Sequence, residues 1–229
     1  MNISKLLEKS KIKPVPLFIP EPEPDNTVIL DLSVTNNELT DIRIEESSVL
    51  DRYIKDKMKT PNALYAFGGY MEDRAVYHRS PLFKSEDGKT RSIHLGIDLW
   101  TAANTLIRLP VDGMVHSFSD NDSYGDYGPT LIMKHEIDGT GFYTLYGHLS
   151  RSSLRSLKPG LSMKSGDVLA QIGNSHENGD WPPHLHFQVI TRIGKATGDF
   201  PGVCYKDEAG IYGKICPSPS VFFRKMAMQ

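Results

Sequence analysis

Two well-separated segments hold the residues of this chain best suited to chemistry: Ile93-His94-Leu95-Gly96-Ile97-Asp98-Leu99 and Pro183-His184-Leu185-His186-Phe187-Gln188-Val189. Side chains of a strand alternate between its faces, so Leu95, Ile97 and Leu99 would enter a core while His94, Gly96 and Asp98 face the other way. The second segment divides in the same manner. Leu185, Phe187 and Val189 form an apolar face, and His184, His186 and Gln188 lie opposite. If the two strands are neighbours, three histidines and one carboxylate meet on one polar face, which is a metal-site composition.

Imidazole and carboxylate suit zinc, and a catalytic zinc keeps three protein ligands with a further position open. His94, Asp98 and His186 would supply those three. One carboxylate and two neutral imidazoles leave a net positive charge on the complex, which should lower the pKa of a bound water. Gly96, between the first two ligands, leaves room for metal and substrate. His148 ends the strand-like run Phe142-Tyr143-Thr144-Leu145-Tyr146-Gly147-His148 and is the next candidate. A hydrolase needs a group near neutral pKa to take a proton from water, and His148 and His184 are the candidates to share proton transfer and oxyanion stabilisation.

The paired H-x-x-x-D and H-x-H, with Tyr146-Gly147-His148-Leu149-Ser150 between them, resemble the lysostaphin-like zinc endopeptidases, a family made up mostly of peptidoglycan hydrolases. The resemblance runs from about Ile93 to Ile190 and includes Leu157-Lys158-Pro159-Gly160 and the stretch from Lys164 to Gly173. It implies zinc ligands at His94, Asp98 and His186, catalytic histidines at His148 and His184, and attack of zinc-activated water on a peptide bond, with peptidoglycan cross-links as the substrate. Where many members carry Ser/Thr-Gly-Pro before H-x-H, this chain has Glu177-Asn178-Gly179-Asp180-Trp181-Pro182-Pro183. With Asp126-Tyr127-Gly128-Pro129-Thr130 and Cys216-Pro217, that stretch is more similar to the peptidase-like domain found fused to class III aminotransferases. Two other readings stand beside the endopeptidase: a non-catalytic peptide- or wall-binding regulator, and a cytoplasmic zinc amidase acting on small peptides.

The elements that must position these residues are mainly β. Gly113–Phe118, Thr130–His135, Phe142–His148, Val168–Ile172 and His184–Ile190 read as strands separated by turns such as Asp138-Gly139-Thr140-Gly141. The expectation is antiparallel sheets with an open substrate groove and the metal on its floor, a lysostaphin-like peptidase fold with a small N-terminal extension. Residues 1–60 read as an arm and linker or packing segment, and 61–229 as the zinc peptidase domain. Pro14, Pro16, Pro20, Pro22 and Pro24 oppose regular structure, so residues 1–26 read as an extended arm. Thr27–Leu32 is a strand candidate and Glu45–Met58 a helix candidate. A lid over the groove is the sharper use of this region.

Arg74 and Tyr77 are candidates for the groove wall or for a solvated or packing role, and Trp181 for the wall or a loop brace. His78, His116, His135 and His176 match no catalytic motif and read as structural or surface residues, and Asp120-Asn121-Asp122 reads as a turn, not a calcium loop. With 26 Lys and Arg against 28 Asp and Glu, the 229-residue chain lacks the basic footprint of a nucleic-acid or anionic-membrane binder. Cys204 and Cys216 are too few for a disulfide scaffold or a cysteine metal site and read as free thiols. Neither a secretory signal nor a membrane-spanning run is evident, which leaves localisation open between the bacterial envelope and the cytoplasm.

Overall fold

The computed structural model describes residues 2–226, without the side chains of His78 and Arg79, so the expectation for His78 lies outside the described residues. Its strands, in chain order, are β1 (Thr27–Leu30), β2 (Tyr65–Gly68), β3 (Ile93–His94), β4 (Ile97–Trp100), β5 (Leu106–Arg108) and β6 (Gly113–Asn121), then β7 (Gly128–Ile137), β8 (Thr140–Gly147), β9 (Ser162–Met163), β10 (Val168–Gln171), β11 (His184–Ile190) and β12 (Val203–Cys204). The helices are α1 (Ile3–Lys9), α2 (Ser47–Lys57), α3 (Arg151–Leu154) and α4 (Ala209–Ile215). Eight strands form one sheet in the order β1-β2-β4-β11-β8-β7-β6-β9. Its pairings are antiparallel except β1 with β2. The mainly β, antiparallel architecture is the one the turn and alternation pattern predicts.

Alternation explains which face is which. Ile97, Leu99, Leu131, Met133, Leu185 and Phe187 share the main core on one face of the sheet. Full burial of such side chains is worth about 1.5–3 kcal/mol each. The residues between them on β4 and β11, including Asp98, His184, His186 and Gln188, belong to the opposite face.

The first candidate segment is two strands. β3 ends at His94 and pairs with β12, while β4 begins at Ile97 and pairs with β2 and β11. The chain changes partners at Leu95-Gly96, yet Leu95 stays fully buried. The N-terminal residues are also more ordered than an extended arm. Asn2 caps α1 by accepting from the Lys5 amide, and Ile3 and Leu7, four residues apart, enter the main core with Leu17 and Phe18. The helix forms because it lies ahead of the first proline.

The remainder of the extension packs on the site face. Leu50 and Ile54 are the buried stripe of α2, and they join Leu30, Leu32, Val76, Tyr77, Phe83, Trp100 and Trp181 in a second apolar cluster. Among the described residues, no helix is long and apolar enough to cross a membrane.

Candidate metal centre

Antiparallel register sets His186 directly opposite Asp98 and His184 opposite Trp100. The same row continues outward, with Gly68 beside Asp98 and Gly147 beside His186. A Cβ at Gly68 would stand 2.7 Å from Arg74 Nη2, and one at Gly147 would stand 2.6 Å from the Tyr127 ring. Both glycines therefore admit large neighbours next to the two central side chains. His94, across the break between β3 and β4, completes the group.

His94, Asp98 and His186 offer donor atoms that all lie within 4.8 Å of one another. His94 Nε2 is 3.0 Å from His186 Nδ1, and Asp98 Oδ1 is 3.2 Å from the former and 3.1 Å from the latter. The outer atoms of each side chain fix what the inner ones present. His94 Nδ1 donates to the Gly69 carbonyl at 2.9 Å, which leaves Nε2 as a bare lone pair. The Gln188 amide nitrogen donates to the Pro201 carbonyl at 3.1 Å and to Cys216 Sγ at 3.2 Å, so its oxygen is the atom facing His186 Nε2 at 3.0 Å. His186 donates from Nε2 and presents Nδ1 bare. Three lone pairs thus converge, and a cation satisfies that arrangement. Two imidazoles and a carboxylate form a zinc-type donor set.

Asp98 is anchored from behind. Arg74 Nη1 donates to Asp98 Oδ2 at 2.5 Å and Arg74 Nε to Glu72 Oε2 at 2.6 Å, while the Leu32 amide donates to Glu72 Oε1 at 3.0 Å. Arg74 is 2% exposed, so the structure rules out a solvated role for it. Burial opposes the guanidinium charge, but Glu72, Tyr77 and Asp98 outweigh that and hold it protonated. Burial likewise opposes the Asp98 charge, yet His94 and Arg74 hold this carboxyl well below its usual range.

His148 and His184 stand next to the triad with ring centroids 4.1 Å apart. His184 Nδ1 donates to the Pro182 carbonyl at 2.7 Å, and His148 Nδ1 to the Asn178 carbonyl at 2.9 Å. Each ring keeps a free Nε2 lone pair, and that of His184 is 3.8 Å from Asp98 Oδ1. Burial pushes His184 down to about 4 and, with the facing His184, holds His148 well below the usual imidazole value. His94 is pushed down to about 4 by burial and by Arg74. His148 lies just past β8 in the left-handed region, φ 60°, uncommon for a residue with a side chain and found where surrounding structure imposes it.

All five sequence candidates therefore lie together, and Tyr77 and Trp181 line a cavity of about 150 Å3 beside them. The expected groove is narrowed on one side, where Leu32, Leu50, Tyr77 and Phe83 form part of its wall. Sequence reasoning missed the Glu72–Arg74 pair, and also Tyr127, whose hydroxyl is 3.5 Å from His186 Nε2. His116, His135 and His176 lie elsewhere: half-buried beside Ser117, buried against Thr144, and exposed. Asp120 and Asp122 pair with Arg151, and both cysteines are free and buried.

A mainly β scaffold with a buried His/Asp triad and two adjacent histidines defines a metallopeptidase-type domain. Residues 92–197, just under half of the chain, match the model described as Peptidase family M23. Similar solved structures include a zinc-containing peptidase from Vibrio cholerae, at 26% identity over 53% of this chain and 35% of that one, with a TM-score of 0.38. Another is the catalytic domain of the antimicrobial peptidase lysostaphin from Staphylococcus simulans, at 18% identity over 71% of this chain and 96% of that one, with a TM-score of 0.41. The match thus spans about a third of the Vibrio protein's length. No curated protein matches the chain.

Proposed function

We propose that the protein hydrolyses peptide bonds with zinc held by His94, Asp98 and His186, and with His148 and His184 handling protons. The observation that carries this reading is the convergence of three bare donor atoms beside two neutral imidazoles with free Nε2 lone pairs. Zinc bound there supplies Lewis-acid polarisation of a carbonyl and a nucleophile at neutral pH.

The chain's own residues do the rest. His148 and His184, kept neutral by burial, accept a proton at Nε2, and the backbone carbonyls at Nδ1 hold each ring in the tautomer that can do so. Their separation of 4.1 Å makes a second proton costly, so the pair carries one at a time and releases it to the leaving amine. Glu72 and Arg74 keep Asp98 ionised and oriented throughout.

The family resemblance brings peptidoglycan cross-links with it as the substrate. The small cavity favours a second reading, hydrolysis of short peptides, because a space of about 150 Å3 with site histidines at most 5% exposed admits a chain end more readily than the middle of a polymer. A non-catalytic binding module is the remaining competitor, and it would have no use for all five groups in working order. Zymography on cell walls of several cross-link types, run beside defined short peptides, tests the proposal. Clearing or peptide cleavage that needs zinc supports hydrolysis and tells the two substrates apart; zinc-loaded protein inert on every substrate favours the binding module.

A further inference from the structure

The wall of the cavity is built largely by residues outside the family-matched stretch. Leu32 and Leu50 come from the N-terminal extension, and Val76, Tyr77 and Phe83 from the turns after β2. They share one apolar cluster with Trp181, whose ring lies 6.0 Å from that of His148 and 6.3 Å from that of His184. The cavity therefore has a polar end, where donor atoms and proton carriers gather, and a mainly apolar wall of Leu32, Leu50, Val76, Tyr77, Phe83 and Trp181, with Arg91 lying over the Phe83 ring. The charged lining residues are Arg74 and Asp98, which pair with each other, and Arg91, Asp126 and Asp199.

This wall is fixed in place. β1 is hydrogen-bonded to β2 within the same sheet as the ligand strands, and the Leu32 amide is tied to Glu72. The Ser47 hydroxyl donates to the Asp180 carbonyl at 2.5 Å, joining the extension to the loop that carries Trp181. A segment bonded into the sheet and the core behaves as part of the site, not as a tethered lid.

Resting on the peptidase reading, we infer that this cavity is a specificity pocket for an apolar side chain, of leucine to phenylalanine size, on the residue flanking the cleaved bond of a short peptide. The cavity, about 150 Å3 with its polar end included, has room for no more than one group of about benzene size. Burying such a side chain strengthens binding about 10- to 100-fold over glycine. A charged side chain in the same place would lose its water against the aliphatic and aromatic wall and gains no such advantage.

Amino-acid hydroxamates test this independently of turnover, because the chelating head is constant and only the side chain varies. Calorimetric titration of the zinc-loaded full chain should show leucine and phenylalanine hydroxamates binding about 10- to 100-fold tighter than glycine hydroxamate, with lysine hydroxamate no better than glycine. Leu50→Phe, which fills the cavity, should remove most of that advantage, bringing the ratio of leucine to glycine hydroxamate affinity toward one. Val76→Leu fills it from another side should the first variant fold poorly. Equal affinities across the series, no binding at all, or an advantage that survives both substitutions overturns the pocket. Discrimination without cleavage of any peptide keeps the pocket and removes the peptidase reading, whereas zinc-dependent cleavage without discrimination does the reverse.

Discussion

The triad His94, Asp98 and His186 and the neighbouring pair His148 and His184 are held by different kinds of partner. Side chains orient most of the triad: Arg74 and Glu72 behind Asp98, and Gln188 behind His186. Backbone alone orients the pair, through the carbonyls of Asn178 and Pro182 in one loop. Substitution can therefore loosen the triad without touching a ligand, while the pair's orientation belongs to the path of the 174–183 loop. The triad is wired for charge balance and the pair for tautomer.

The largest expected contrast comes from the ligands themselves. His94→Ala or Asp98→Ala should abolish both stoichiometric zinc, read by elemental analysis, and zinc-dependent cleavage, since a three-donor site loses most of its affinity with one donor gone. His148→Ala and His184→Ala should keep zinc and lower turnover by roughly a hundred- to ten-thousand-fold, the scale of lost acid–base or electrostatic assistance. If either of these variants loses metal as completely as the ligand variants, the division between triad and pair collapses.

Arg74→Met tests the triad's charge balance. It leaves buried Asp98 and half-buried Glu72 without their cation, so denaturant unfolding of the metal-free protein should show a loss of about 3–5 kcal/mol. A change near zero would mean that the clamp is ornamental. Gln188→Leu is milder. It removes the acceptor behind His186 Nε2 and should weaken zinc binding about 10- to 100-fold in a chelator competition, with little change in fold.

The remaining effect is in pH. His94 and His184 have folded-state values near 4, below the ordinary imidazole value of 6.5, so between these limits the unfolded chain binds more protons than the folded one. Stability of the metal-free protein should rise from pH 4 to pH 6.5 and level off above, once both states hold neutral rings. Asp98, depressed as well, adds a loss in the same direction at still lower pH. His184→Ala should flatten part of this rise as His94→Ala does, and a denaturation midpoint that is constant across the window would contradict the burial assigned to both rings.

Much of the site was readable because period-two alternation needs no tertiary information. Leu185, Phe187 and Val189 had to face one way, so His184, His186 and Gln188 faced the other. The partner change at Leu95-Gly96 was not readable, since β3 pairs with a strand more than a hundred residues later in the chain. The same holds for Arg74, whose spacing says nothing about a carboxylate on another strand. For α1, the prolines dominated the composition of the first segment, although the Asn2 cap and the Ile3 and Leu7 spacing were local signals. That Leu32 and Leu50 line the site was hidden for a different reason: an apolar stripe announces burial but not what it is buried against.

The row Gly68, Asp98, His186, Gly147 also makes the metal centre a gauge of strand register. Sliding β11 by one residue against β4 would turn His186 toward the core and set Leu185 or Phe187 opposite Asp98. Metal binding energy would then be available in a single alignment of the central strands, and a misaligned chain would be recognisable by its failure to hold the ion.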